Sequence, residues 1–248
     1  MIIPSLDFYQ GKIVRLYQGN YDLKKMYIQD YYTYIQDCIQ NKIKNIHIVD
    51  LDGAKNFHNK QSFLLKEILQ IKNINFQVGG GIRNKQDIEK LFSLGAKKVV
   101  IGSAIFEKKN EVKQWIQEYG KNSIVLALDV IVQNNFTEVI ISGWKKNTGK
   151  DINDILSDFY FTGVKNILCT DITQDGTLNG PNISLYESLV KKYPRMNFQS
   201  SGGIGRLKDI INLKKIGIKD IIIGKAFLEN KFTMTEAVQC WQKELFHV

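Results

Sequence analysis

The stretch FQSSGGIG, residues 198–205, begins as an apolar strand and dissolves into serine and glycine. A near-copy, FQVGGGIR, stands at 76–83, an offset of 122 residues (198 − 76) and almost half of the 248-residue chain. The same offset lays Asp7 on Asp129, Asp87 on Asp209, Gly95 on Gly217, Gly102 on Gly224 and Ala104 on Ala226. A self-match sustained over that span implies two halves built to one plan.

Working outward, short β-branched runs bounded by Gly, Asp or Ser recur along the whole chain. They are MIIPSLD (1–7), IHIVDLDG (46–53), NFQVGGG (75–81), KVVIGSA (98–104), SIVLALD (123–129), NILCTDI (166–172), NFQSSGG (197–203) and DIIIGKA (220–226). Each reads as a strand. Amphipathic segments lie between them; in NKQDIEKLFSLG (84–95), Ile88, Leu91 and Phe92 share one helical face and Gly95 supplies the stop. Eight strand–helix units in this length predict a closed (β/α)8 TIM barrel with a two-fold half-barrel repeat, and so many strands disfavour an open doubly wound sheet. Three prolines and no Gly/Ser-rich linker predict one domain over 1–248.

Composition narrows the function classes. No apolar run approaches the length of a bilayer span, and MIIPSLDFYQGK lacks a basic leader ahead of a long apolar region, so a soluble, cytoplasmic protein without a membrane partner is expected. Cys38, Cys169 and Cys240 are odd in number and far apart, which argues against disulfides and structural zinc. The formal net charge of +9 comes from thirty lysines and four arginines scattered along helical segments such as 84–94 and 207–216. That is a solvated surface, without the basic stripe and interleaved aromatics of a nucleic-acid binder. It also speeds encounter with a multiply phosphorylated metabolite. No exposed heptad or apolar patch calls for a partner chain, and a monomer is expected.

Glycine at the C-terminal end of a strand lets backbone N–H groups approach a ligand, and a following helix N-terminus favours an anion. In barrels of this kind the usual phosphate site follows strands seven and eight, here Ser201, Gly202, Gly203, Gly224 and Lys225. The repeat predicts a second site after strands three and four, from Gly80, Gly81, Gly102 and Ser103. A tight turn accounts for any one of these glycines; their matched placement in both halves favours a ligand with two phosphates.

The first strand of each half ends in aspartate, Asp7 and Asp129, so both carboxylates should face one barrel mouth from opposite sides. Two carboxylates in different surroundings can divide acid and base work, although the residues alone do not say which does which, and either aspartate alone could be a loop cap. His47 on an apolar strand reads first as a satisfied core residue. Thr170 and Asp171 at the end of strand six could orient a reacting group or complete the barrel rim. Arg15 and Arg83 stand out because arginine is scarce, and their forked donors suit phosphate or carboxamide oxygen. Trp144, in ISGWKKNTG, reads either as a stacking lid over an aromatic substrate or as loop packing.

Several of these stretches together carry a family resemblance. IIPSLDFYQGKIVRLYQGNY (2–21), HIVDLDGA (47–54), QVGGGIR (77–83), LALD (126–129), SGW (142–144), CTDITQDGTLNGPN (169–182), QSSGGIG (199–205) and IIIGKAFLENK (221–231) resemble the phosphoribosylformimino-aminoimidazole carboxamide ribotide isomerases of histidine biosynthesis over essentially the whole chain. The resemblance implies a (β/α)8 barrel, a small-molecule substrate phosphorylated at each end, no metal and no organic cofactor. It implies an Amadori rearrangement of an aminoaldose to an aminoketose, with Asp129 as general acid opening the furanose ring and Asp7 as general base at C2′. It also implies that His47, Arg15, Arg83, Trp144 and Thr170 hold the substrate. Lys225 replaces an arginine common among relatives, and Asn230 a common glycine.

Other readings stay in view. The sister cyclase barrel of the same pathway has the same repeat and an aspartate at both strand ends, but VRLYQG and SGW resemble the isomerase. The tryptophan-pathway isomerase performs the same rearrangement and places cysteine where this chain has Asp7. A non-catalytic phosphate-ligand barrel would have no need of two opposed carboxylates.

Overall fold

A computed structural model describes residues 1–134 and 136–243. The eight expected strands are all present, and all are parallel to their barrel neighbours. In chain order they are Ile2–Tyr9, Asn45–Asp50, Asn75–Gly79, Lys98–Ile101, Ile124–Gln133, Asn166–Asp171, Asn197–Ser201 and Asp220–Ile223. The first pairs with both the second and the eighth, and the ring is completed where the fifth pairs with the sixth, Asp129 opposite Thr170. A closed ring leaves no barrel edge open to another chain.

Several boundaries differ from the sequence reading; in KVVIGSA and DIIIGKA the strands stop at Ile101 and Ile223, and the last residues open the short helices Ala104–Glu107 and Lys225–Leu228. In IHIVDLDG the strand stops at Asp50, and Leu51–Lys55 is helical because the Asp50 carboxylate accepts from the Gly53 N–H at 2.9 Å and caps that turn. The segments after Asp7 and Asp129, to which no strands were assigned, continue as antiparallel hairpins. Lys12–Tyr17 pairs with Asn20–Met26, and Phe136–Ile141 with Lys146–Asp151. One hairpin therefore rises from the first strand of each half.

The repeat has a physical content beyond sequence identity. Asp87 caps helix Lys85–Leu94 by accepting from the N–H groups of Arg83 and Asn84 at 2.8 and 3.3 Å. Asp209 caps helix Leu207–Lys215 by accepting from Gly205 and Arg206, 122 positions further on, at 2.9 Å each. Gly95 ends the first of these helices at φ 115°, a conformation that costs glycine little. Asn230 lies at φ 51°, one of the left-handed positions asparagine tolerates.

Residues alternate across the barrel wall. One face packs under the helices, with Phe76 and Phe198 at equivalent, fully buried places; burial of each contributes about 2–3 kcal/mol. The other face fills the lumen, where Ile3, Val100, Val125, Leu168 and Ile222 form a central apolar plug. Gln77 and Gln199, related by the repeat, are buried in the lumen and hydrogen-bond reciprocally: Gln77 Nε2 donates to Gln199 Oε1 at 2.9 Å, and Gln199 Nε2 to Gln77 Oε1 at 3.1 Å. A residue lying beside a two-fold axis meets its own copy, and an amide, being both donor and acceptor, can pair with itself. Among the described residues no helix is long and apolar enough to cross a membrane.

Candidate active site

Above the plug, at the C-terminal ends of the strands, lies a cavity of about 260 Å³. Asp7 and Asp129 both line it, from the first and fifth strands, as do Arg15, His47, Arg83, Trp144 and Thr170. The structure thus brings the carboxylate pair and these residues together about one mouth.

Asp7 is buried. Its Oδ2 accepts from Arg15 Nη1 at 2.6 Å, and its Oδ1 lies 3.4 Å from the Ser5 hydroxyl. Burial raises its pKa, Arg15 opposes the rise and the nearby Asp175 adds to it. The outcome is a carboxylate held in place by a cation yet more basic than a solvated aspartate.

Arg15 reaches the site from the hairpin strand Lys12–Tyr17. Its other fork, Nη2, lies 3.2 Å from Asp175 Oδ1, so the guanidinium bridges two carboxylates. Burial works against its charge, but the two carboxylates outweigh that and raise its pKa. The fork that suits phosphate or carboxamide oxygen is engaged in this structure by Asp7 and Asp175. Its Nε is buried without a partner. Gly224, assigned to an anion cradle, is also the seat of Arg15, since a Cβ there would lie 2.8 Å from Nη1.

Asp129 faces a different environment. Its Oδ2 accepts from the indole N–H of Trp144 at 2.8 Å. Burial pushes its pKa up to about 6, while hydrogen bonds from Trp144 and Thr170 hold it from rising further. Trp144 stands in the turn between the hairpin strands Phe136–Ile141 and Lys146–Asp151, where Ser142, Gly143 and Trp144 have φ of 60°, 64° and 68°. A bulky side chain in the left-handed region is held there by its surroundings, and such backbone collects at functional sites. Two contacts do the holding: the Ser142 N–H donates to Ser103 Oγ at 3.2 Å, and the Trp144 ring lies against Gly19, where a Cβ would sit 2.3 Å from Cε3. Trp144 thus joins both hairpins over the cavity, which favours the lid reading over simple loop packing.

His47 is buried and lines the cavity, with Nδ1 3.1 Å from Gln77 Nε2. Burial, and then the charge of Arg15, bring its pKa down to about 3, so it is neutral in the working range. The side chain of Arg83 is a third exposed and reaches Glu107 at 3.9 Å.

The glycines divide by cause. At φ 109° and 66°, Gly80 and Gly81 press on backbone: a Cβ would come within 2.2 Å of the carbonyl oxygens of Asp50 and Gly53. In the other half, a Cβ on Gly202 would lie 3.1 Å from the Asp171 oxygen, and one on Gly203 2.2 Å from the Gly180 oxygen. Packing alone requires glycine at Gly80, Gly81 and Gly203, while at Gly202 the contact is tight and the φ of 92° adds the preference. At Gly102 the nearest atom to such a Cβ is 4.0 Å away, so no close packing accounts for that glycine. Gly80, Gly81, Gly102 and Ser103 all line the main cavity. Ser201, Gly202, Gly203, Gly224 and Lys225 line a smaller one of about 20 Å³ that shares Arg15, Asp175 and Ser201. There Lys225 donates to the Gly176 carbonyl at 2.5 Å. Two glycine-lined recesses thus flank the carboxylates, the second narrower than the first.

Sequence reasoning missed Asp175, buried beside Asp7 through Arg15 and lining both recesses. Its only signal was a D-G turn in TQDGT. Asp171 proves structural: it accepts from Thr173 N, Thr173 Oγ1 and Asn182 Nδ2 at 2.7–3.0 Å and ties down the loop after strand six. Among the described residues no cluster of three or more His, Cys, Asp or Glu side chains is arranged to hold a metal.

Comparison with known proteins places this geometry. A family profile described as histidine biosynthesis protein matches residues 1–233. The chain belongs to that family. A relative in Buchnera aphidicola subsp. Schizaphis graminum is 49% identical over 98% of this chain and all of its own length. One in Pectobacterium atrosepticum is 45% identical over 98% and 99%, and one in Pasteurella multocida 44% over 97% of each. All three are named 1-(5-phosphoribosyl)-5-((5-phosphoribosylamino)methylideneamino)imidazole-4-carboxamide isomerase.

Proposed function

We propose that this chain is the isomerase that converts the bisphosphorylated aminoaldose named for its relatives into the corresponding aminoketose, an Amadori rearrangement in histidine biosynthesis. The observation that carries the reading is the meeting of Asp7 and Asp129 in one cavity between two glycine-lined recesses. Each recess takes one terminal phosphate, and the sugar that reacts lies between the carboxylates.

The two aspartates are tuned differently, which suits divided roles. Asp129, with a pKa of about 6, still carries a proton in a useful fraction of molecules near neutrality and can protonate the ring oxygen as the furanose opens to an imine. Asp7 then removes the C2′ proton. Its raised pKa makes it a stronger base, and Arg15 keeps it ionised and aimed. The enolamine that results tautomerises to the ketose. Trp144 holds Asp129 in orientation and covers the site, excluding water that would compete for the imine.

One observation favours a second assignment of the acid. Asp175 is also a buried carboxylate at the mouth, and it lines both recesses. If Asp175 supplies the proton, Asp175→Asn abolishes turnover while Asp129→Asn leaves much of it.

The test is an absorbance assay of the purified protein with the bisphosphorylated aminoaldose. Asp7→Asn should lower kcat by about a thousandfold or more and leave KM within about tenfold, because the lost interaction belongs to the transition state. Undiminished turnover in that variant rules out the base assignment. Deleting either terminal phosphate should weaken binding; if one deletion has no effect, the two-recess reading fails.

A further inference from the structure

The reciprocal Gln77–Gln199 pair is complete in itself as a structural device, yet the structure asks more of one member than of the other. Gln77 Nε2 carries two hydrogens: one goes to Gln199 Oε1, and the second meets His47 Nδ1 at 3.1 Å. His47 is the strand neighbour of Gln77. The corresponding neighbour of Gln199 is Leu168, which offers no acceptor. The histidine therefore breaks the two-fold symmetry, and it does so at the floor of the reactive cavity.

Resting on the isomerase reading for its catalytic consequence, we propose that Gln77 is a positioning residue that fixes His47 in the tautomer with its proton on Nε2, so that a neutral imidazole presents an N–H donor to the substrate. The partner of one ring nitrogen sets where the proton resides. Turning both amides over would keep their reciprocal bonds and place a carbonyl oxygen against His47 Nδ1, which would demand the opposite tautomer. The two arrangements differ in how many hydrogens they satisfy. As observed, three of the four amide N–H groups of the pair have acceptors, two toward the partner amide and one toward His47. After the double turn only two would. The pair sits beside the apolar plug, fully buried, where each unmet donor is costly.

The other ring nitrogen is free to act. Among the described residues the buried side-chain atoms without partners are Arg15 Nε, Tyr34 OH, Asn197 Oδ1 and Ser200 Oγ; His47 Nε2 is not one of them, so the cavity reaches it. A neutral N–H donor can bind a sugar hydroxyl or ring oxygen without adding a second cation beside Arg15 and Asp7.

The decisive measurement is 15N NMR of protein labelled at its histidines, with the His47 resonances identified by their loss in His47→Gln. The expected spectrum near neutral pH is that of a single neutral tautomer protonated at Nε2. A spectrum protonated at Nδ1 in the unaltered protein overturns the proposal, and this result needs neither substrate nor turnover. In Gln77→Met the tautomers should mix and kcat/KM should fall by about tenfold, the effect of one lost hydrogen bond, with binding of inorganic phosphate unchanged. Gln77→Glu, which puts an acceptor opposite Nδ1, should move the proton there. Retention of the pure Nε2–H pattern in either variant also overturns it. If the unaltered protein shows the expected tautomer but no turnover, the isomerase reading fails and the positioning by Gln77 stands.

Discussion

At Asp129, burial and hydrogen bonding pull in opposite directions, and the result can be read in stability as well as in rate. An unfolded chain returns this carboxyl to its ordinary pKa of 3.8, whereas the folded protein holds it near 6. Between those values the folded state binds the proton more tightly, so the stability this residue confers is present at low pH and is lost as pH rises through about 6. The ionised carboxylate then costs about 3 kcal/mol. Asp129→Asn should therefore match the unaltered protein in melting temperature near pH 4 and exceed it at pH 8, while losing most of its turnover. Calorimetry across that range checks this, and a melting temperature at pH 8 no higher than that of the unaltered protein would count against the buried, pKa-raised environment. Trp144→Phe removes the indole donor that holds the Asp129 pKa down. If Asp129 is the acid, the alkaline limb of kcat/KM in that variant should shift to higher pH, and an unmoved limb would assign it to another group.

The elements show where the sequence was legible and where it was silent. Eight strands and their capped helices could be read because each carries a local chemical mark: β-branched runs, an Asn84–Asp87 capping box, a glycine at position 95. The two hairpins that carry Arg15 and Trp144 left weaker marks. Their turns use Gln18 at φ 45° and Ser142 at φ 60°, in place of the Asn-Gly or Asp-Gly pair that announces a hairpin. Asp175 was illegible for another reason: its role exists only through Arg15, 160 residues away in the chain. The strand-end glycines were legible as positions and ambiguous as causes, and two substitutions separate conformation from contact. Gly11 and Gly81 both have positive φ, 75° and 66°, but a Cβ on Gly11 meets nothing within 4 Å and one on Gly81 comes 2.2 Å from the Gly53 oxygen. Gly11→Ala should cost about 1–2 kcal/mol, the strain of the left-handed region alone. Gly81→Ala should cost at least about 2 kcal/mol more, because the neighbouring loop must give way. Urea midpoints compare them directly; equal losses would mean that the loop yields freely.

On the scale of the whole molecule, charge and site are separated in space. The cavity sets the carboxylates of Asp7, Asp129 and Asp175 against the guanidiniums of Arg15 and Arg83, a balance that by itself gives a doubly phosphorylated substrate little reason to approach. The formal net charge of +9 comes chiefly from the thirty lysines. Most of these lie on the outer surface, and their field extends about one Debye length, roughly 10 Å at 0.1 M salt. Surface charge of this kind increases how often an anion arrives, and adds little once the anion is bound. Raising ionic strength from about 0.01 M to about 0.3 M, which contracts the Debye length severalfold, should accordingly lower kcat/KM several-fold and leave kcat nearly constant. The same titration with a substrate lacking one phosphate should show a shallower slope, because a less charged ligand feels less of the field. A kcat/KM indifferent to salt would mean that the lysine surface plays no part in capture and that the buried pair of recesses works unaided.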